Sequence, residues 1–205
     1  MGFYEKKVLP GLLDFAMRQP PIMKQRGKVV PRARGRVLEI GLGSGLNLSF
    51  YDPDRVEVVL GLEPSPELKG LAADRARDAA VPVEMVGLIG EDIPLEAESV
   101  DTILITYTLC TIPGVEQALS EMRRVLRPKG ELLFSEHGRA PDAKVARWQR
   151  IVEPVWKRMA GGCHLTRDVP ALLGAAGFKL AELDQLYLPG PRLATFNTWG
   201  VALPE

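Results

Sequence analysis

The stretch "VLEIGLGSGLN", Val37–Asn47, sets three glycines at alternate positions directly behind a short apolar run. Glycine at this density costs folding entropy, so it marks a backbone that must turn sharply or be approached closely. The run ahead of it, Arg36–Ile40, reads as a buried strand, and a second apolar run follows at Val56–Leu62. A glycine-rich turn between a first strand and the next element offers free backbone N–H groups to a ligand, as nucleotide-binding loops do.

Outward from this loop the pattern repeats. Further apolar or β-branched runs occur at Val81–Leu88, Val100–Tyr107 and Glu131–Glu136, with helical patterns at Pro66–Ala80 and Val115–Leu126 between them. Such alternation implies βαβ units and an α/β fold built on a doubly wound, mainly parallel sheet. Arg127–Gly130 ("RPKG") reads as the turn that ends one helix and launches the next strand. Pro141–Met159 reads as an inserted helix, with Pro154 a candidate kink and Trp148, Ile151, Val152, Val155 and Trp156 on its apolar side. Two last strand candidates lie at Leu180–Tyr187 and Ala194–Leu203, after a helix ending near Gly177. Residues 1–35 form one or two helices, with Phe3, Tyr4, Val8, Leu12, Leu13, Phe15 and Met17 apolar. They precede the first strand, so they are expected as an arm outside the core, with residues 36–205 as a single domain.

The 205 residues carry no net charge. That balance hides a basic arm: up to Arg36, nine bases face two acids, Glu5 and Asp14, a local excess of +7. A basic amphipathic arm is suited either to an anionic membrane surface or to closing as a lid over a site. The remainder is acidic, which argues against nucleic acid as a partner. No apolar stretch approaches the roughly 20 residues that a membrane span needs. Pro10, Gly11 and Asp14 interrupt the start, so no signal peptide is expected, and Lys6 spoils an acylation motif at Met1-Gly2. A cytoplasmic protein, peripheral to the membrane at most, is the expectation. Cys110, Cys163, His137 and His164 offer soft ligands, but their spacings match no zinc pattern and no metal is expected.

Two cofactor classes use a loop of this kind. The dinucleotide fingerprint G-x-G-x-x-G fails here, because Leu46 stands where its third glycine should be. The observed G-x-G-x-G spacing behind Glu39 resembles the first motif of class I S-adenosyl-L-methionine (SAM) dependent methyltransferases. That resemblance implies SAM as cofactor, its demethylated form S-adenosyl-L-homocysteine as product, and a seven-stranded sheet in the order 3-2-1-4-5-7-6. It places Gly41, Gly43, Gly45, Ser44 and Asn47 around the methionine end, with Glu39 on its ammonium group. "GLEPS" puts Glu63, followed by Pro64, at the end of the second strand, where a carboxylate can accept bonds from two ribose hydroxyls. "GEDIPL" implies Glu91 or Asp92 on the adenine amino group, with Ile93 packed on the ring. In "SVDTILITYTLCTI" the end facing the cofactor carries Thr106 and Tyr107.

The second half is similar to a narrower group. "LNLSFYDP", "SEHG", "RWQRIVEPVW", "GGCHLTRD" and "AAGF" resemble the thiol methyltransferases of the methyltransferase-like group and bacterial relatives labelled phosphatidylethanolamine N-methyltransferase-like. The likeness implies a small-molecule acceptor, with Trp148, Trp156, Cys163, Thr166 and Arg167 around its pocket. His137, at a strand's carboxyl end, is the candidate to help deprotonate the acceptor, and Tyr107 to shape the cavity beside it. A thiol is the expected acceptor, a phospholipid amine the alternative, and a non-catalytic SAM-binding module the third reading.

Overall fold

The computed structural model describes residues 4–87 and 89–205, with the side chains of all but Glu5 and Lys6. Phe3, Leu88 and Met1-Gly2 lie outside the described residues. Seven strands form one sheet: β1 (Gly35–Ile40), β2 (Val56–Leu62), β3 (Val83–Gly87), β4 (Val100–Thr106), β5 (Leu126–His137), β6 (Phe178–Tyr187) and β7 (Phe196–Pro204). Their order is β3-β2-β1-β4-β5-β7-β6, with the first five parallel and β7 antiparallel to both neighbours. This is the expected order. Order reverses between β1 and β4, so the crevice past their carboxyl ends is where such a sheet receives ligands.

The helices are α1 (Leu9–Met17), α2 (Pro20–Val29), α3 (Pro66–Arg77), α4 (Val115–Val125), α5 (Ala143–Met159), α6 (Val169–Ala175) and the short α7 (Arg192–Thr195). Strand residues alternate between two cores. Leu38, Ile40, Ile103, Ile105 and Phe134 pack with Leu119 and Met122 of α4 and with Leu173 of α6. Val37, Val59, Leu104 and Leu133 pack on the other face with Ala72 of α3 and with Val29, Val30 and Ala33.

That second core corrects the view of residues 1–35 as an appendage. α2 packs on β5 and β7, and Val29, Val30 and Ala33 are fully buried there. The local reason is legible afterwards: "VVPRA" offers a compact apolar turn, with Pro31 stopping α2 just before β1. The basic charge is also largely engaged. Arg32 forms a two-pronged ion pair with Glu182 at 2.8 Å, Arg34 pairs with Glu131 at 3.3 Å, and Lys28 lies 3.8 Å from the Trp199 ring centroid.

Further expectations change in detail. "RPKG" lies within β5, which starts at Leu126, but it bulges out there: β5 advances five residues to Glu131 while β4 advances two, and regular pairing begins at Glu131 as expected. α5 runs through Pro154 as one helix. Its expected apolar side is split: Val152 and Trp156 are half-buried, whereas Trp148 is 57% exposed and Ile151 and Val155 are as open, as is Met159. The last strand starts at Phe196, after α7 takes Arg192–Thr195.

Candidate functional site

The three glycines do different work. A Cβ at Gly41 would come within 2.3 Å of the Thr108 side chain, and one at Gly45 would press on Leu48 and Ala72. Both are fixed by the protein's own packing. At Gly43, with φ +59°, the nearest atom is the Gly41 carbonyl at 3.9 Å, so this position faces open space. It is the point of the loop that a ligand can approach.

Glu63 closes the loop from β2. Its carboxylate accepts the Gly43 N–H and the Ser65 N–H, both at 2.8 Å. Burial raises its pKa against the pull of these two bonds. Each oxygen keeps capacity for a further donor, so the expected ribose contact fits this geometry.

Other expected cofactor residues sit differently. Glu39 is 1% exposed and accepts from Asn47 Nδ2 at 2.8 Å and from the Tyr51 hydroxyl at 2.7 Å. Asn47 and Thr106 also receive Arg26, whose guanidinium reaches Asn47 Oδ1 at 2.7 Å and Thr106 Oγ1 at 2.6 Å. Glu39, Asn47 and Thr106 therefore form a buried network with Arg26 beneath the loop, rather than an open ligand face. Burial pushes the Glu39 carboxyl up to about 7. Ser44 turns to the arm, donating to Asp14 Oδ1 at 2.6 Å. Glu91 accepts the Gly114 N–H at 3.1 Å, Asp92 is exposed, and Ile93 is buried in the α4 core, so it is not free to cover a ring. Pro64 is exposed just before α3.

Beyond β4 the backbone is strained. Tyr107 takes a left-handed conformation, φ 55°, which a non-glycine residue holds only when its surroundings enforce it. Its N–H donates to the Ser135 carbonyl at 3.0 Å and its hydroxyl to Asn197 Oδ1 at 2.7 Å. The Arg26 guanidinium lies 5.4 Å from its ring centroid, and burial pushes its pKa up to about 12.

The acceptor-side residues converge in part. His137, at the end of β5, has Nε2 2.9 Å from Cys163 Sγ, which also accepts from Trp156 Nε1 at 3.2 Å. Cys110 completes the group, and the three ligating atoms of Cys110, His137 and Cys163 all lie within 4.8 Å of one another. Cys110 and its neighbouring His137 draw the Cys163 thiol down towards the thiolate. The bond to Cys163 and burial push Cys110 the other way. Next to this group Glu136 is fully buried. One oxygen accepts from the Thr108 and Leu109 N–H groups, at 2.7 and 3.0 Å, and burial pushes its pKa up to about 7.

Two expected pocket residues are placed otherwise: one points away, and the other lies close to Cys110 but is held by backbone carbonyls. Trp148 faces outward, and Arg167 is spent on the carbonyls of Leu109 and Ile112, the latter at 2.6 Å. Arg167 thus pins the segment after β4. Thr166 donates its hydroxyl to Glu153 at 2.7 Å, and Asp168 caps α6 through the Ala171 N–H. Asp14, Arg26, Tyr51, Glu136 and Asn197 were not foreseen. Arg26 and Asp14 were hidden among arm charges, although Asp14 stands out as an acid in a basic segment.

With the loop, Glu63 and the sheet order in place, the comparisons agree. A family model for a methyltransferase domain matches residues 38–134. The chain thus carries a methyltransferase domain over these residues. Its relatives include human thiol S-methyltransferase TMT1B, 38% identical over 160 residues, covering 75% of this chain and 64% of that protein. A phosphatidylethanolamine N-methyltransferase of Cereibacter sphaeroides is 33% identical over 105 residues, covering 50% of this chain and 51% of that one. Among solved structures, a SAM-dependent methyltransferase and possible histamine N-methyltransferase from Thermotoga maritima superposes with a TM-score of 0.66, at 22% identity and 98% coverage of both chains. The chain spans just under two thirds of the length of the thiol methyltransferases it matches.

Proposed function

We propose that this methyltransferase transfers a methyl group from SAM to the sulfur of a small thiol. The observation that carries the reading is a pairing at the carboxyl ends of adjacent strands. The open loop position at Gly43 follows β1, and a sulfur and imidazole cluster follows β4 and β5. The loop fits the donor: Gly43 leaves the room that a Cβ would fill, and Glu63 presents a braced carboxylate for two hydroxyls. Bound SAM supplies an activated methyl on a sulfonium. The protein's own part is alignment and exclusion of water. Tyr107, anchored on Asn197, forms a wall beside the acceptor, and Trp156 covers Cys163. A thiol of pKa about 8.5 is already partly ionised near neutrality, so a strong base is not required.

A second reading, a phospholipid amine, is favoured by one surface. Trp148, Ile151, Val155 and Met159 form an open apolar stripe along α5, with exposed Lys144, Arg147 and Arg158 beside it. On the arm Tyr4, Val8, Leu12 and Phe15 are open too, and the Tyr4 hydroxyl donates to the Met159 carbonyl at 2.8 Å, joining the two faces. Apolar surface flanked by bases suits an anionic bilayer. Both readings are tested together by mass spectrometry of products after incubating the chain and SAM with thiols, amines and phosphatidylethanolamine vesicles. S-methylated thiols, formed faster as pH rises towards the thiol pKa, support the proposal. Methylated phosphatidylethanolamine with unchanged thiols overturns it in favour of the second reading.

A further inference from the structure

We propose that Cys110 Sγ, His137 Nε2 and Cys163 Sγ bind one zinc-class ion, with a fourth position open to the acceptor sulfur. The three atoms already lie within 4.8 Å of one another. Bonds of about 2.3 Å to sulfur and about 2.0 Å to nitrogen set tetrahedral neighbours roughly 3.5 Å apart, so gathering them takes shifts on the order of 1 Å. Two sulfurs and an imidazole are the donor set that selects a soft or borderline ion over calcium or magnesium. Three protein ligands also match the catalytic rather than the structural pattern of zinc sites.

The surroundings support a ligated state. Trp156 Nε1–H on Cys163 Sγ is the outer contact that a bound thiolate keeps. The His164 N–H donates to the Cys110 carbonyl at 2.9 Å, fastening the two cysteine segments to each other. His164's own ring turns away to Glu153, 3.4 Å from its carboxylate, which leaves three ligands rather than four. Two buried polar atoms beside the group, His137 Nδ1 and Glu136 Oε2, lack a hydrogen-bond partner among the described residues. Buried polar atoms are rarely left so; an ion on Nε2 would fix the ring proton on Nδ1, and Glu136 Oε2 keeps the capacity to accept from a group entering beside the cluster. Both cysteines are buried, while His137 is only half-buried, so the cluster is open on the imidazole side.

The occupant of the fourth position rests on the thiol reading; the ion itself does not. An acceptor thiol gives up its proton to solvent on binding the ion. Its sulfur then forms the new C–S bond as the donor's sulfonium C–S bond breaks, with that electron pair left on the donor sulfur. The neutral thioether is a weaker ligand and departs.

The test is spectroscopic. The full chain, reduced and stripped with a chelator, is titrated with Co2+ and then Zn2+. One Co2+ per chain, near-ultraviolet thiolate-to-cobalt absorption and strong visible bands of a four-coordinate ion, all displaced by Zn2+, are the expected result. Cys110→Ser and Cys163→Ser should each weaken Co2+ binding by more than about tenfold, with SAM affinity and far-ultraviolet circular dichroism retained. Cys163→His, which keeps a ligand, should restore binding with less charge-transfer intensity. Added benzenethiol should strengthen the charge-transfer band by bringing a third sulfur. A folded, SAM-binding wild-type chain that shows no such absorption overturns the site. Cobalt bands that ignore added thiol overturn the open position. Intact cobalt bands with no thiol methylation sink the acceptor reading alone.

Discussion

A methyl group at Gly43 would occupy the one side of the glycine loop that the protein leaves open. Gly43→Val should therefore abolish SAM binding in calorimetry; its left-handed φ of +59° adds backbone strain that lowers the thermal midpoint, while the far-ultraviolet circular dichroism stays native. Retained affinity would remove the loop from the site. The same measurement at Gly41 would say little, because Thr108 fills that space and the fold itself would suffer. Glu39 yields a pH test. Its neighbours are Arg26 from α2, Asn47 and Tyr51 from the loop, and Glu63 at the end of β2. Burial holds its carboxyl at about 7, above the 4.5 of an unfolded chain. Between those values the folded state keeps a proton that the unfolded state has lost, so this group's contribution to stability falls as pH rises through the window. The loss should be on the order of 2–3 kcal/mol. Urea unfolding at pH 5 and pH 8 should show it in the wild type, and Glu39→Gln should show a flatter profile by that amount. Equal slopes would place the titration elsewhere. The loop and Glu63 were readable in sequence because their roles depend on local spacing. Arg26 was not, since its partners lie 21 and 80 residues away.

The elements show where periodicity stops being informative. Spacing in α5 identifies an amphipathic helix, but not which residues meet water: Trp156 turns in to Cys163, while Trp148, Ile151, Val155 and Met159 turn outward. Replacing Trp148, Ile151 and Val155 with Ser should leave the thermal midpoint within about 2 °C, since exposed positions contribute little to stability. If the stripe meets a bilayer, the same variant should lose sedimentation with anionic vesicles. Unchanged sedimentation would dismiss α5 as the contact. α1 raises a separate question. Asp14 links it to the loop through Ser44 and pairs with Arg75 of α3 at 3.1 Å, and with Arg18 of the arm. Leu9, at the start of α1, and Leu13, beside Asp14, approach Gly161, just before the cluster. α1 thus bridges the two sides of the crevice. Asp14→Ala should raise the rate of SAM dissociation, read by stopped-flow fluorescence, and speed hydrogen exchange in residues 9–17. Unaltered exchange there would show that α1 is held by apolar contacts alone.

Across the whole molecule, the parallel sheet was legible because buried strands read as continuous apolar runs set between helices. The order of strands came with the family resemblance. Two things were not legible, and for the same reason. The Cys110–His137–Cys163 group gathers residues from the segment after β4, the end of β5 and the segment after α5, so no ligand spacing announces it. The second core likewise borrows Val29, Val30 and Ala33 from a segment that sequence order sets before the domain. This makes truncation the sharpest test of how the molecule is divided. Removing residues 1–18 takes away α1 and should leave a folded chain that binds SAM more weakly. Removing residues 1–34 strips two buried valines, worth roughly 1.5–3 kcal/mol each, and the Arg26 that neutralises and fills the space under the loop. Against a total stability of about 5–15 kcal/mol, that loss should abolish cooperative unfolding in calorimetry. A sharp transition in the longer truncation would restore the arm to the status of an appendage. Loss of the transition only there, with the shorter one still cooperative, would make α2 the first structural element of the domain and α1 the closure over its site.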